Sequence, residues 1–258
     1  MLLAYTRPVS PTLAECELTH LPRVAIDLRR AVAEHQAYER ALSQLGVAVR
    51  RLQGAPEHPD AVFVEDTAIV FDELAIVTRP GAESRRGEVD VVADTLAAHR
   101  RLEFIEAPAT LDGGDVLVDG ERVFVGRSSR TNDAAMSQLS TMLHPLGYRV
   151  IPVDFGGCLH LKSAVTRIAD RLLLANPQWV QASVFHGSRV VPVDPVEPHA
   201  ANALAVGGAV IYPAQFRGTH ARLEAEGLRV VPVEITELAK AEAGVTCCSL
   251  LVKIGVRG

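Results

Sequence analysis

Arg149-Val-Ile-Pro-Val-Asp154, Arg189-Val-Val-Pro-Val-Asp194 and Arg229-Val-Val-Pro-Val-Glu234 are three near-copies of one hexapeptide, each beginning 40 residues after the last. Similarity at a fixed period marks a repeated supersecondary unit. Two weaker relatives lie upstream, at residues 47–53 and 102–107, which brings the number of units to five. After each copy the pattern recurs as a loop, an apolar strand, a turn, often a second strand, and then a helix. The third unit shows it best. Val116-Leu-Val118 and Arg122-Val-Phe-Val125 flank Asp119-Gly120, a strong hairpin signal. Residues 131–146 then carry Ala135, Leu139, Met142, Leu143 and Leu146 close to a helical stripe, and 27–45 and 87–100 also read as helices. A lone unit of this kind cannot bury its apolar face, whereas five in a ring can. The sequence therefore predicts one catalytic domain over 1–258, an α/β fold arranged as a five-bladed α/β propeller with pseudo-fivefold ββαβ-type repeats. A plain open α/β sheet is the competing arrangement.

The whole-chain properties are those of an ordinary globular protein, with 258 residues, 48% hydrophobic and 22% charged. A net charge of −5 gives no electrostatic reason to expect nucleic acid or an acidic membrane as partner, and it suits a cationic ligand. No apolar run approaches the roughly 20 residues that cross a bilayer. The opening MLLAYTRPVSPT lacks the apolar core and cleavage site of a signal peptide. Four cysteines (Cys16, Cys158, Cys247 and Cys248) are too few for a disulfide scaffold, so a reducing, cytoplasmic setting is the simplest expectation. An exposed sheet edge or an apolar helix face could support a homodimer, and no segment singles one out.

The polar candidates fall at one point of the unit, just before or at the start of the strand that follows each repeat strand. They are Asp60-Ala-Val-Phe-Val-Glu65-Asp66, Leu111-Asp112-Gly-Gly-Asp115, Gly157-Cys158-Leu-His160-Leu-Lys162-Ser163 and Gly244-Val-Thr246-Cys247-Cys248-Ser249. In a ring of similar blades, equivalent positions meet near the axis, so Asp60 and Cys247 would face one cavity. Taken alone, each has a bland reading. Glu65-Asp66 fits a solvated strand end as well as a carboxylate clamp for a guanidinium, which offers donors on several edges. His160, between two leucines, fits a satisfied core histidine, and Cys247 a small buried hydrophobe. Cys158, His160, Cys247 and Cys248 could also be thought of as zinc ligands, but Cys-x-His and Cys-Cys match the usual spacings poorly. No metal or cofactor is therefore expected. The shared position in the repeat is what lifts the set above its members.

Six motifs in order resemble the dimethylarginine dimethylaminohydrolases of the guanidino-group modifying (pentein) superfamily. They are Asp60-x-x-Phe-Val-Glu-Asp66, Thr78-Arg-Pro-Gly-Ala-x-Ser-Arg-Arg86, Leu111-Asp-Gly-Gly-Asp115, Arg130-Thr-Asn132, Leu159-His-Leu-Lys-Ser163 and Thr246-Cys-Cys-Ser249. The resemblance implies the five-bladed propeller and a reaction in which water replaces the alkylamine of an Nω-methylated arginine, a small-molecule substrate. It implies Cys247 as nucleophile, His160 as general acid and base, and Asp112 as the acid paired with that histidine. Asp60, Glu65 and Asp66 would surround the cationic end, Arg85 and Arg130 would hold the α-carboxylate, and Leu18 lies where the family has a flexible lid.

The chemistry wants such residues. A guanidinium carbon is a poor electrophile, and a thiolate attacks it better than a hydroxyl at neutral pH. The alternatives in the same fold are arginine deiminase, agmatine deiminase and citrulline-processing enzymes. A non-catalytic propeller module would have no reason to keep Cys247, His160 and Asp112 together, and a zinc-dependent hydrolase would lose activity with chelator.

Overall fold

In each repeat unit the hexapeptide forms the outermost strand of a small three-stranded sheet, and five such sheets form the fold. The computed structural model describes residues 1–255. β1 (Leu2–Thr6), helix α1 (Leu28–Gln44) and β2 (Ala48–Arg51) begin the first sheet. The second holds β3 (Ala68–Val70), β4 (Leu74–Val77) and β5 (Arg101–Phe104), with α2 (Val89–Ala97) joining the last two. The third holds β6 (Val116–Asp119), β7 (Arg122–Arg127) and β8 (Arg149–Asp154), with α3 (Asp133–Leu143) between β7 and β8. The single turn α4 (Leu161–Ala164) leads into β9 (Val165–Ala169), β10 (Leu172–Ala175) and β11 (Arg189–Pro192). The fifth has β12 (Leu204–Val206), β13 (Ala209–Pro213), α5 (Arg217–Ala225) and β14 (Val230–Val233). Finally β15 (Leu250–Lys253) returns to pair antiparallel with β1, with Ala4 opposite Leu251, and completes the first sheet from the other end of the chain.

All five sheets share one pattern: the first strand runs antiparallel to the middle one, and the middle one parallel to the outer. The arrangement is the pseudo-fivefold α/β propeller, not an open sheet. The middle strands are apolar on both faces because both faces are covered, and every residue of β4, β10 and β13 is buried. The outer strands are partly exposed, and proline is tolerated there because a strand edge needs no second ladder. Pro152, Pro192 and Pro232 hold equivalent register positions opposite Val125, Ala175 and Tyr212. The repeated Arg-Val-(Ile/Val)-Pro-Val is thus an edge-strand signature.

All three expected helices form, and two of them start with a side-chain cap. Asp27 accepts a hydrogen bond from Arg30 N at the start of α1, and Asn132 from Ala135 N at the start of α3. The hairpin expected around Asp119-Gly120 is present, with Asp119 still in strand register opposite Arg122 and the turn at Gly120-Glu121. The fourth unit departs from the pattern. Between β10 and β11 there is only a short 3-10 turn, Ala182–Val184, because part of the connection is spent on a turn at 177–179 and a bridge from Val180 to Phe155. Among the described residues no helix is long and apolar enough to cross a membrane.

Candidate active site

The chain segments that enter the first strands of the five sheets meet at one end of the ring. Asp66 precedes β3, Asp112 and Asp115 precede β6, His160 precedes β9, Asn202 precedes β12 and Cys247 precedes β15. Cys247, His160 and Asp66 line one small cavity of about 20 Å³, together with Glu17, Asp60, Phe63, Arg85, Arg130, Leu159 and Glu242. The sulfur, the imidazole and the carboxylate come from three different sheets.

His160 sits between two acids. Its Nε2 lies 3.0 Å from Asp112 Oδ2, and its Nδ1 lies 3.9 Å from Asp66 Oδ1. Asp112 is fully buried and held in turn by the backbone N–H of Gly81, which donates to its other oxygen at 2.9 Å. Asp66 accepts from Gly114 N at 2.9 Å and from Arg85 Nη1 at 2.6 Å. Residue 114 must be glycine, because a Cβ there would lie 2.7 Å from the His160 ring and 2.8 Å from Asp66. Burial opposes charge on His160, but Asp66, the Asp112 hydrogen bond and Asp115 outweigh it and raise its pKa to about 9. For Asp66 burial likewise opposes charge, and the His160 and Arg85 cations overcome it and hold the carboxyl at about 2. Asp115, which accepts from Leu161 N and Ser128 Oγ, fixes the first turn after His160, and burial pushes it up to about 6.

The nucleophile candidate behaves differently. Burial first, then Glu65 and Asp66, push the Cys247 thiol up to about 12. The backbone N–H of Gly244 donates to its sulfur at 3.3 Å and, with Lys162, pulls the other way without prevailing. Cys247 is the one cysteine of the four that is not fully buried, and the adjacent Cys248 is packed into the core beside Tyr38 and α1. The two cysteines sit on a turn over residues 245–248, where Cys247 lines the cavity and Cys248 packs into the core.

The two arginines are unequal. Arg85 gives Nε and Nη2 to Glu88 at 3.1 and 2.9 Å, Nη1 to Asp66, and a further Nη2 bond to Phe63 O at 3.1 Å. Of its five N–H groups one is left, on Nη1. Arg130, also buried, has an Nη1 with no hydrogen-bond partner, 3.8 Å from Asp112. Asp60 reaches the cavity, where burial raises its pKa, and its Oδ2 accepts from Glu17 N at 3.0 Å. Glu65 and Leu18 are placed elsewhere. Glu65 turns away from Asp66 toward the opposite side of the ring, bound by Lys162 Nζ and Thr246 Oγ1 at 2.7 Å each. Leu18 packs against the core, and its neighbour Glu17 lines the cavity instead.

Sequence reading missed three residues that shape the site. Glu88 follows Arg85 by three residues on a 3-10 turn, a spacing that could have signalled the ion pair. Lys162, which in the sequence is only one member of the Leu159-His-Leu-Lys-Ser163 motif, pairs with Glu65. Asn202 lies in the fifth corresponding segment, before β12, and braces the nucleophile turn: its side chain bonds Thr246 N, Thr246 Oγ1 and Lys162 O at 3.0–3.1 Å. Gly244 is glycine because a Cβ would come within 2.2 Å of Asn202. Among the described residues, the His, Cys and acidic side chains close enough to share one ion are Asp66, Asp112 and His160. That set contains no cysteine, and its carboxylates are already engaged with Arg85, His160 and backbone N–H groups.

Five blades around a cysteine, a histidine and converging carboxylates define a pentein of the guanidino-group modifying type. Residues 22–184 match the family model described as N,N dimethylarginine dimethylhydrolase, eukaryotic. The chain is 39% identical to an N(G),N(G)-dimethylarginine dimethylaminohydrolase of Streptomyces coelicolor, over 97% of this chain and 96% of that one. It superposes with a TM-score of 0.91 and 32% identity on a cysteine-to-serine mutant of the Pseudomonas aeruginosa enzyme complexed with citrulline, covering 97% of this chain and 98% of that one. A histidine-to-glycine dimethylarginine dimethylaminohydrolase, as an adduct with S-methyl-L-thiocitrulline, matches with the same TM-score of 0.91, covering 97% of this chain and 99% of that one. The chain belongs to the dimethylarginine dimethylaminohydrolase family of amidine hydrolases.

Proposed function

We propose that residues 1–258 act as one catalytic domain that hydrolyses Nω-methylated arginine to citrulline and methylamine or dimethylamine, through a thiouronium on Cys247. The observation that carries this reading is the single cavity shared by the Cys247 sulfur, the His160 imidazole and the Asp66 carboxylate. It is supported by the citrulline and S-methyl-L-thiocitrulline bound to the related enzymes.

With its thiol pushed up to about 12 by burial and by Glu65 and Asp66, Cys247 is neutral at physiological pH. A bound guanidinium brings a positive charge beside it, offsets Glu65 and Asp66, and favours the thiolate. The thiolate forms a C–S bond to the guanidinium carbon, giving a tetrahedral adduct. His160, protonated because its pKa is about 9, gives a proton to the alkylated nitrogen as that C–N bond breaks. The product of this half is a thiouronium and free alkylamine. Neutral His160 then takes a proton from water as its oxygen adds to the same carbon. The C–S bond breaks and leaves citrulline. Asp112 keeps the imidazole oriented and favours its charged form throughout.

Asp66 and Asp60 hold the cationic end against the sulfur, a positioning effect. Arg130, with its free guanidinium nitrogen, takes the α-carboxylate, and the last N–H of Arg85 adds to it. Otherwise Arg85 acts through Asp66. Glu65 contributes by setting Lys162 and Thr246 beneath the nucleophile turn.

The test is incubation with monomethylarginine, asymmetric dimethylarginine, arginine and agmatine, with citrulline and amine measured in each. Citrulline and alkylamine in equal amounts from the methylated substrates are expected. Ammonia release from arginine or agmatine in preference would move the chain to the deiminases.

A further inference from the structure

Arg7 follows directly on β1 and is 1% exposed, yet only one of its guanidinium nitrogens has a partner. Its Nη2 donates to Glu88 O at 3.3 Å, while Nε and Nη1, both buried, make no hydrogen bond. Those N–H groups have given up water and gained nothing, so the side chain costs stability where it stands. The catalytic steps make no use of it. A buried cation kept at such a cost points to a role for the charge itself.

The charges around Arg7 lead to the active site. Burial pulls its pKa down; of the groups nearby, Glu88 attracts it most, then Glu57, and Arg85 repels it. Glu57 is exposed, and water screens it. Glu88, 1% exposed, takes Nε and Nη2 of Arg85, whose Nη1 meets Asp66, and Asp66 lies beside His160. Signs therefore alternate along Arg7, Glu88, Arg85, Asp66 and His160. Paired from the catalytic end, Asp66 cancels His160 and Glu88 cancels Arg85. Arg7 is the positive charge left over. Without it, a substrate carboxylate would meet Arg85 as half of a neutral pair.

We infer that Arg7 is a positioning residue for the substrate: acting through Glu88, it leaves the Arg85 end of the cavity with a net positive charge that draws in and holds the α-carboxylate. This rests on the proposed reading in which Arg85 and Arg130 receive that carboxylate.

The experiment measures kcat and KM for asymmetric dimethylarginine, with the melting temperature, in the intact chain, Arg7→Met, Arg7→Lys, Glu88→Gln and the double variant Arg7→Met/Glu88→Gln. Arg7→Met should raise KM about five-fold or more, with kcat within about two-fold. Its melting temperature should hold or rise, because an apolar chain replaces a buried, poorly paired cation. Arg7→Lys keeps the charge and should bring KM back toward that of the intact chain. Glu88→Gln removes a negative charge and should lower KM. In the double variant the two charge changes cancel, so KM should return to within about two-fold of the intact chain, whereas two purely structural injuries would add. An unmoved KM in Arg7→Met, or a double variant worse than either single one, would overturn the inference. Arg130→Ala, run alongside, separates this from a wrong reading of the site. If it raises KM while Arg7→Met does not, the inference falls alone. If it too leaves KM unmoved, or if no citrulline forms, the carboxylate reading falls and takes the inference with it.

Discussion

The outer edges of the blades and the inner ends of the same blades follow opposite rules. At the edge, Arg149, Arg189 and Arg229 open nearly identical strands, each carrying a proline at the same register. Those strands do the same job in each blade, and the sequence there has little reason to vary. At the inner ends, the corresponding segments bring in Asp66, Asp112, His160, Asn202 and Cys247, five residues of four types. Repetition marks the scaffold, and divergence at symmetric positions marks the chemistry.

The sharpest way to break that comparison is to exchange one side chain at the inner end. Cys247→Ser should cut kcat by about 10⁴-fold or more with the circular dichroism unchanged, while Cys248→Ser, on the neighbouring sulfur, should retain turnover. The reverse outcome in a citrulline assay would mean that the wrong sulfur faces the cavity. Asp112→Asn should cost about 10²–10⁴-fold in kcat, because the imidazole loses its orienting anion. Arg130→Ala should act on the other end of the substrate and raise KM for methylarginine about ten- to a hundred-fold, with kcat less affected. A KM that stays put would remove Arg130 from carboxylate binding.

The acid–base pair also predicts how stability depends on pH. His160 is raised from 6.5 to about 9 on folding, so its contribution is fully present below pH 6.5 and lost as pH climbs through 9. Asp66 is lowered from 3.8 to about 2, so its contribution is present above pH 3.8 and lost as pH falls through 2. Urea midpoints should therefore decline between pH 6.5 and 9, and His160→Gln should flatten that decline. At the edge the expected effect is smallest. Pro192→Val should change stability by less than about 1 kcal/mol and leave kcat alone, since the proline spans no second ladder.

Much of this was legible before any coordinates. The 40-residue spacing of the edge strands, the hairpin at Asp119-Gly120 and the helices expected over 27–45, 87–100 and 131–146 are local signals, and local signals survive translation into structure. The convergence of Asp66, Asp112, His160 and Cys247 followed from symmetry, because like positions in a ring face one axis. What escaped was pairwise and three-dimensional. Glu65 and Asp66 are neighbours in sequence, yet one turns to Lys162 and Thr246 and the other to His160 and Arg85. Arg85 reads as a free cation until Glu88 is seen to claim two of its nitrogens. No periodicity encodes which partner a buried ion will choose. The absent helix of the fourth blade has a local reason: a turn and a bridge to Phe155 take up part of that connection, and the repeat pattern alone does not show them.

The central claim is tested most directly by acid-quenching the protein during turnover of asymmetric dimethylarginine and mapping the bound mass. Trypsin leaves Cys247 and Cys248 on one peptide, 241–253, and fragmentation separates the two sulfurs. A thiouronium on Cys247 is the expected result. Turnover with the adduct on Cys248, or with no sulfur adduct at any quench time, would contradict the account.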